Sequence, residues 1–220
     1  MAFIGERREN ILYISIAIVI IVIIAFSLLF SSRNLTKAYV EDKILGDWIE
    51  DISERQGGSQ TFGLEKWGSY TYRNNNVSYP AYITITSFKT LFMMSENQLL
   101  DKTIETIIKA SNKGIIIDEK TRIDGSRVLR NEHKTTFIIY NATDSNNERY
   151  QKIKIIGETW NCGVSGTSII CIGVSWITNN SIDNSKIDLI YWSNIINDKE
   201  GTFGIDYKNE NGLIYNVKCH

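Results

Sequence analysis

The chain is poor in the residues that announce familiar chemistry: 220 positions hold one proline, Pro80, three cysteines, Cys162, Cys171 and Cys219, and two histidines, His133 and His220. No phosphate-cradling glycine loop and no paired-cysteine zinc spacing occurs. Gly163-Val164-Ser165-Gly166 approaches a GxSxG nucleophile elbow, but Thr167 stands where the final glycine is required. His133, between Glu132 and Lys134, would need a nucleophile or metal partner to serve as a general base, and no motif supplies one, so it reads as a surface histidine where a strand begins. These absences argue against the common enzyme mechanisms, and neither a cofactor nor a metal is expected. Charge is balanced and dispersed: from residue 61 onward 18 Lys and Arg face 17 Asp and Glu. A nucleic-acid partner requires a phosphate-neutralising patch, and none is expected here.

One long hydrophobic run is present. Residues 11–30, ILYISIAIVIIVIIAFSLLF, carry no charged side chain. As a helix they would be roughly 30 Å long, the thickness of a bilayer's hydrocarbon core. The run is apolar all round, unlike a core helix with a polar face. A cleaved signal peptide would need a small-x-small site after a shorter apolar region, and Ala25-Phe26-Ser27 lies inside the run. The expectation is a tail at 1–10, a single-pass transmembrane signal anchor at 11–31, a juxtamembrane segment at 32–60 and one extracytoplasmic domain at 61–220. The location so expected is the cell membrane, with the C-terminal domain outside the cytoplasm. Arg7 and Arg8 before the run and Arg33, Lys37 and Lys43 after it do not decide the orientation, which rests on the layout of the chain and its cysteines. A pilin-like leader cut after Gly5 would leave Glu6, Arg7, Arg8 and Glu9 between the cut and the apolar run.

Residues 37–56 read as an amphipathic helix, with Val40, Ile44, Trp48 and Ile52 at every fourth position. That stripe is a candidate contact for another membrane or surface protein, or for the domain itself. Gly57-Gly58-Ser59 breaks it. Strands are expected at 67–72 and 81–91, the second with Tyr82, Thr84, Thr86 and Phe88 on one face and Ile83, Ile85 and Ser87 on the other. A helix at 96–113 opens on the capping box of Ser95 and Gln98, closes at Gly114 and carries the stripe Leu100, Ile104, Ile107, Ile108 and Ser111. Ile123-Asp124-Gly125 is expected to turn the chain, residues 136–140 to form a strand, and 150–162 with 168–178 a hairpin. A second helix is expected at 186–198, presenting Ile187, Ile190, Tyr191 and Ile195, and a final hairpin turns at Asn211-Gly212. The order implies an α+β fold, an antiparallel sheet with two main helices packed on it.

The succession AYITITSFKTL, the helix from Gln98, RIDGSRVL, the hairpin around Cys162 and Cys171, and DLIYWSNII resembles the Mog1/PsbP-like domain, as in single-pass anchored archaeal proteins. The resemblance covers roughly residues 66–200 and implies an accessory or binding role with no functional residue to carry over.

Cys162 and Cys171 flank the expected hairpin turn and are candidates for a disulfide, with two core thiols or metal ligation as the alternatives. Cys219 is left over. Asn34, Asn76, Asn141 and Asn179 head sequons in or beside expected loops, which permit glycosylation. The function expected is a non-catalytic, membrane-anchored binding or accessory domain, with the bilayer as partner through residues 11–31. The alternatives are an extracytoplasmic enzyme with a site built from scattered polar residues and a pilin-like surface subunit.

Overall fold

A computed structural model describes residues 34–60, 64–75, 80–111, 114–145, 151–177, 192, 194–196 and 212–220. The expected tail and the span at 11–31 lie outside them. No helix among the described residues is long and apolar enough to cross a membrane. The single-pass, cell-membrane location is corrected accordingly: the structure gives it no support.

Eight strands form one antiparallel sheet: β1 (Trp48–Glu50), β2 (Gln56–Gln60), β3 (Glu65–Asn74), β4 (Ala81–Lys89), β5 (Ile115–Val128), β6 (Lys134–Asp144), β7 (Gln151–Cys162) and β8 (Thr167–Ile177). The spatial order is β1-β3-β4-β8-β7-β6-β5, with β2 also paired to β3. Helices among the described elements are α1 (Asp42–Leu45) and α2 (Glu96–Ser111). The expected α+β fold with two main helices is therefore corrected to a predominantly antiparallel β architecture. β5 and β6 run longer than the segments expected there, and β8, β7, β6 and β5 pair in series to the sheet's edge. Of the second helix expected at 186–198, only Trp192 and residues 194–196 are described; Ile187, Ile190 and Tyr191 lie outside. The final hairpin's first half, its turn included up to Asn211, also lies outside. Its second half is a 3-10 turn at Ile214–Asn216 and one bridge, Tyr39 to Lys218.

Side chains alternate across the pleat, and each face of the sheet is buried against something different. One face carries Ile83, Ile85, Phe137, Ile139, Ile156 and Ile169, covered by Ala38, Val40 and Trp48 from the N-terminal side and by Trp192, Ile195, Leu213 and Val217 from the C-terminal side. The other carries Ile138, Tyr140, Ala142, Ile153 and Ile155 beneath Leu100, Ile104 and Ile107 of α2. The capping box forms: Ser95 N–H donates to Gln98 Oε1 at 2.9 Å and Gln98 N–H to Ser95 Oγ at 3.3 Å. The helix is rotated from the expected stripe, with Leu99, Thr103 and Ile107 buried and Ile108 exposed. Gly157 explains the rotation: a Cβ there would fall 2.3 Å from Thr103 Cγ2, so only glycine lets this turn of α2 descend onto the sheet. Thr103 satisfies its hydroxyl by donating to the Leu99 carbonyl at 2.7 Å.

Ile123-Asp124-Gly125 does not turn the chain but lies within β5, paired with Phe137 to Ile139. Gly125 is there for room: an added Cβ would meet the Phe137 ring at 2.3 Å. The turn comes later, at Leu129 to His133, where the Leu129 N–H donates to the His133 carbonyl at 2.9 Å.

Candidate functional site

The Leu129–His133 turn projects His133 toward a side-chain cluster drawn from distant parts of the chain. Glu132 takes φ 65°, the left-handed conformation that an L side chain rarely adopts, and the turn is held by the C-terminal segment. Arg130 N–H donates to the Tyr215 carbonyl at 3.4 Å, and Asn131 Nδ2 to the Val217 carbonyl at 3.1 Å. Tyr39 and Lys218 exchange backbone hydrogen bonds at 2.9 and 2.8 Å, and Lys218 Nζ reaches Glu41 Oε1 at 2.6 Å. Braced from both sides, Cys219 is disulfide-bonded to Cys162 at the end of β7, with their Cα atoms 6.4 Å apart.

Both histidines join this pair. His133 Nε2 lies 3.2 Å from Cys219 Sγ, and His220 Nδ1 lies 3.5 Å from Cys219 Sγ and from Cys162 Sγ. All four donor atoms fall within 4.8 Å of one another. The cysteines are buried, His133 is half-buried and His220 is exposed, so the cluster opens to solvent on the His220 side. Burial, and secondarily the His220 ring, holds the His133 imidazole below its usual range, which favours the neutral ring with a free lone pair. Reduced to thiolates, the two sulfurs together with the two imidazoles would make a donor set that suits a soft or borderline divalent ion.

The expected Cys162–Cys171 disulfide is thus corrected. The β7–β8 turn is tight, with Cys162 opposite Thr167, and Cys171 falls opposite Glu158. At about 3.3 Å per residue those four rungs separate the two cysteines along the strand by some 13 Å, beyond any disulfide's reach. Cys171 is a free, buried thiol whose pKa is pushed well up by burial and then by Glu158. No spacing rule joins positions 133, 162, 219 and 220. The available signal was scarcity, because both histidines and two of the three cysteines of the chain meet here.

A second polar group is buried in the sheet. Arg127 and Glu158 side chains are 6% and 0% exposed and form a two-pronged ion pair, with Nε to Oε1 at 2.8 Å and Nη2 to Oε2 at 2.5 Å. Thr135 Oγ1 donates to Glu158 Oε1 at 2.5 Å, and Arg127 Nη1 donates to the Ile196 carbonyl. Each charge is answered within the core, so the group ties β5, β6, β7 and the 194–196 segment together.

The candidate partner stripe is dispersed. Residues 37–56 form α1, β1 and a 3-10 turn at Ile52–Glu54 instead of one helix, broken at Gly46 with φ 54°. Val40 and Trp48 are core residues, Ile44 packs against the core, and only Ile52, 71% exposed, faces solvent. Among the sequon asparagines, Asn34 is exposed, and Asn141 is exposed within strand β6, pairing with Asp118 and Lys154. Asn76 and Asn179 lie outside the described residues.

Exposed apolar side chains also lie along β5, at Ile116, Ile123 and Val128, and at the end of the sheet where β4 leads to α2 and β7 turns into β8. Leu91, Phe92 and Met93 are exposed there, Phe92 by 85%, and Val164 in the β7–β8 turn is 75% exposed. Hydrogen bonds tie Met94, at the end of the β4–α2 loop, to the facing ends of β7 and β8. Asn161 Nδ2 donates to the Met94 carbonyl at 2.8 Å, and Met94 N–H to Ser168 Oγ at 3.3 Å. Compared with protein-family models, curated proteins and solved structures, the chain matches none. Nothing in those comparisons bears on the Mog1/PsbP-like resemblance.

Proposed function

We propose that this chain is a non-catalytic binding or accessory module that engages a protein partner through the apolar end formed by Leu91, Phe92, Met93 and Val164. The observation that carries this reading is the exposure of those four side chains at one end of the sheet, where the neighbouring Met94 is hydrogen-bonded to Asn161 of β7 and Ser168 of β8. A pre-formed apolar patch loses little entropy on docking, and an aromatic anchor such as Phe92 is the kind of residue that dominates interface energy.

The test is affinity capture from source cells with the tagged full chain, wild type beside a Phe92→Asp/Val164→Asp double variant. A partner held by the wild type and reduced at least about tenfold with the variant, roughly 1.4 kcal/mol of binding, supports the reading provided the thermal midpoint is unchanged. The same proteins retained by both forms would remove the patch as the docking surface.

A further inference from the structure

We propose that His133, Cys162, Cys219 and His220 form a tetrahedral site for a zinc-class divalent ion once the Cys162–Cys219 bond is reduced, so that the cluster alternates between a disulfide clasp and a metal clasp. The inference stands on the Cys/His geometry and is independent of the apolar patch.

The histidine-to-sulfur distances suit the ion. With metal–sulfur bonds of about 2.3 Å and metal–nitrogen bonds of about 2.0 Å, the edges of a tetrahedral S2N2 site are roughly 3.3–3.8 Å. Three of the histidine-to-sulfur contacts, at 3.2, 3.5 and 3.5 Å, lie close to that range, and the two bonded sulfurs would part to about 3.8 Å on reduction. A disulfide needs no imidazole beside it, yet both histidines of the chain are placed there. No carboxylate belongs to the group among the described residues, which disfavours calcium or magnesium. Four protein donors close the coordination sphere, as in structural zinc sites, and leave no position for a reacting water.

The exchange balances with a small dithiol as reductant. It supplies two electrons and two protons, the Cys162–Cys219 S–S bond breaks, two S–H bonds form, and the dithiol leaves as its own disulfide. The ion then displaces both thiol protons to solvent and forms two metal–sulfur bonds, while one ring nitrogen of each histidine donates its lone pair. The same three segments remain tied: the β5–β6 turn through His133, the end of β7 through Cys162, and the C-terminal segment through Cys219 and His220.

The full chain, reduced with dithiothreitol under nitrogen, is titrated with Co2+ and then Zn2+. One equivalent per chain should produce the visible d–d bands of tetrahedral cobalt with a thiolate-to-cobalt charge-transfer band, and Zn2+ should abolish both. The unreduced protein should give neither. Cys171→Ser should retain the spectrum, and His133→Asn should weaken cobalt binding by roughly tenfold or more, the scale seen when even outer-sphere partners are lost. Because these variants perturb folding, the wild type provides a second readout: zinc should shield the two thiols of the reduced native protein from iodoacetamide. The proposal is overturned by a reduced protein without tetrahedral bands, by bands that survive a His133→Asn/His220→Asn double change, or by alkylation that zinc does not slow.

Discussion

At the scale of single residues, the sequence showed how scarce the reactive side chains are but not which of them meet. Cys162 and Cys171 look like partners because they are close in sequence around a turn. The register of one tight hairpin places Cys171 opposite Glu158 instead, and pairing register depends on a turn whose length is hard to read from composition. Arg127 and Glu158 gave no sequence signal, since a charge on a β-rich run normally marks the solvent face. Their burial makes a sharp prediction. Glu158→Gln leaves Arg127 charged in the core and should cost about 3–5 kcal/mol in urea unfolding, whereas Arg127→Met with Glu158→Leu should recover most of that loss. A single variant as stable as the wild type would mean that water reaches the pair.

At the scale of elements, the alternating run of β4 was legible because Ile83 and Ile85 repeat with the period of a strand whose one face is buried. The capping box of α2 was legible because its chemistry is local. Residues 37–56 misled because Val40, Ile44, Trp48 and Ile52 satisfy a helical period, while Gly46 breaks the backbone and the sheet face recruits Val40 and Trp48 separately. The rotation of α2 could not be read from the helix alone, since it is set by Gly157 on another element. Gly157→Ala should push Thr103 off the sheet and cost about 1–3 kcal/mol by overpacking. Gly163→Ala, with nothing within 4 Å of the added Cβ, should stay within about 0.5 kcal/mol. Equal effects in denaturant melts would show that the α2 contact is not tight.

At the scale of the whole molecule, one face of the sheet is closed by segments from both sides of the chain, and Cys219 locks that closure to β7. A clasp across the short β7–β8 turn would contribute only about 2.6 kcal/mol by the chain-entropy argument. Cys162–Cys219 spans 57 residues, so the same argument gives about 4 kcal/mol, acting through the restricted unfolded chain. Metal-free reduction of the full chain should therefore lower the unfolding free energy by about 4 kcal/mol. Cys219→Ser should abolish the difference between oxidised and reduced samples, and Cys171→Ala should leave it intact. Zinc added to the reduced protein should narrow the gap in proportion to the logarithm of its concentration above Kd, because an ion that binds only the folded chain stabilises it by mass action. A gap of about 2.6 kcal/mol that disappears with Cys171→Ala would instead assign the cross-link to the short hairpin loop, and with it would go both the closure of the sheet face and the metal clasp built on the same sulfurs.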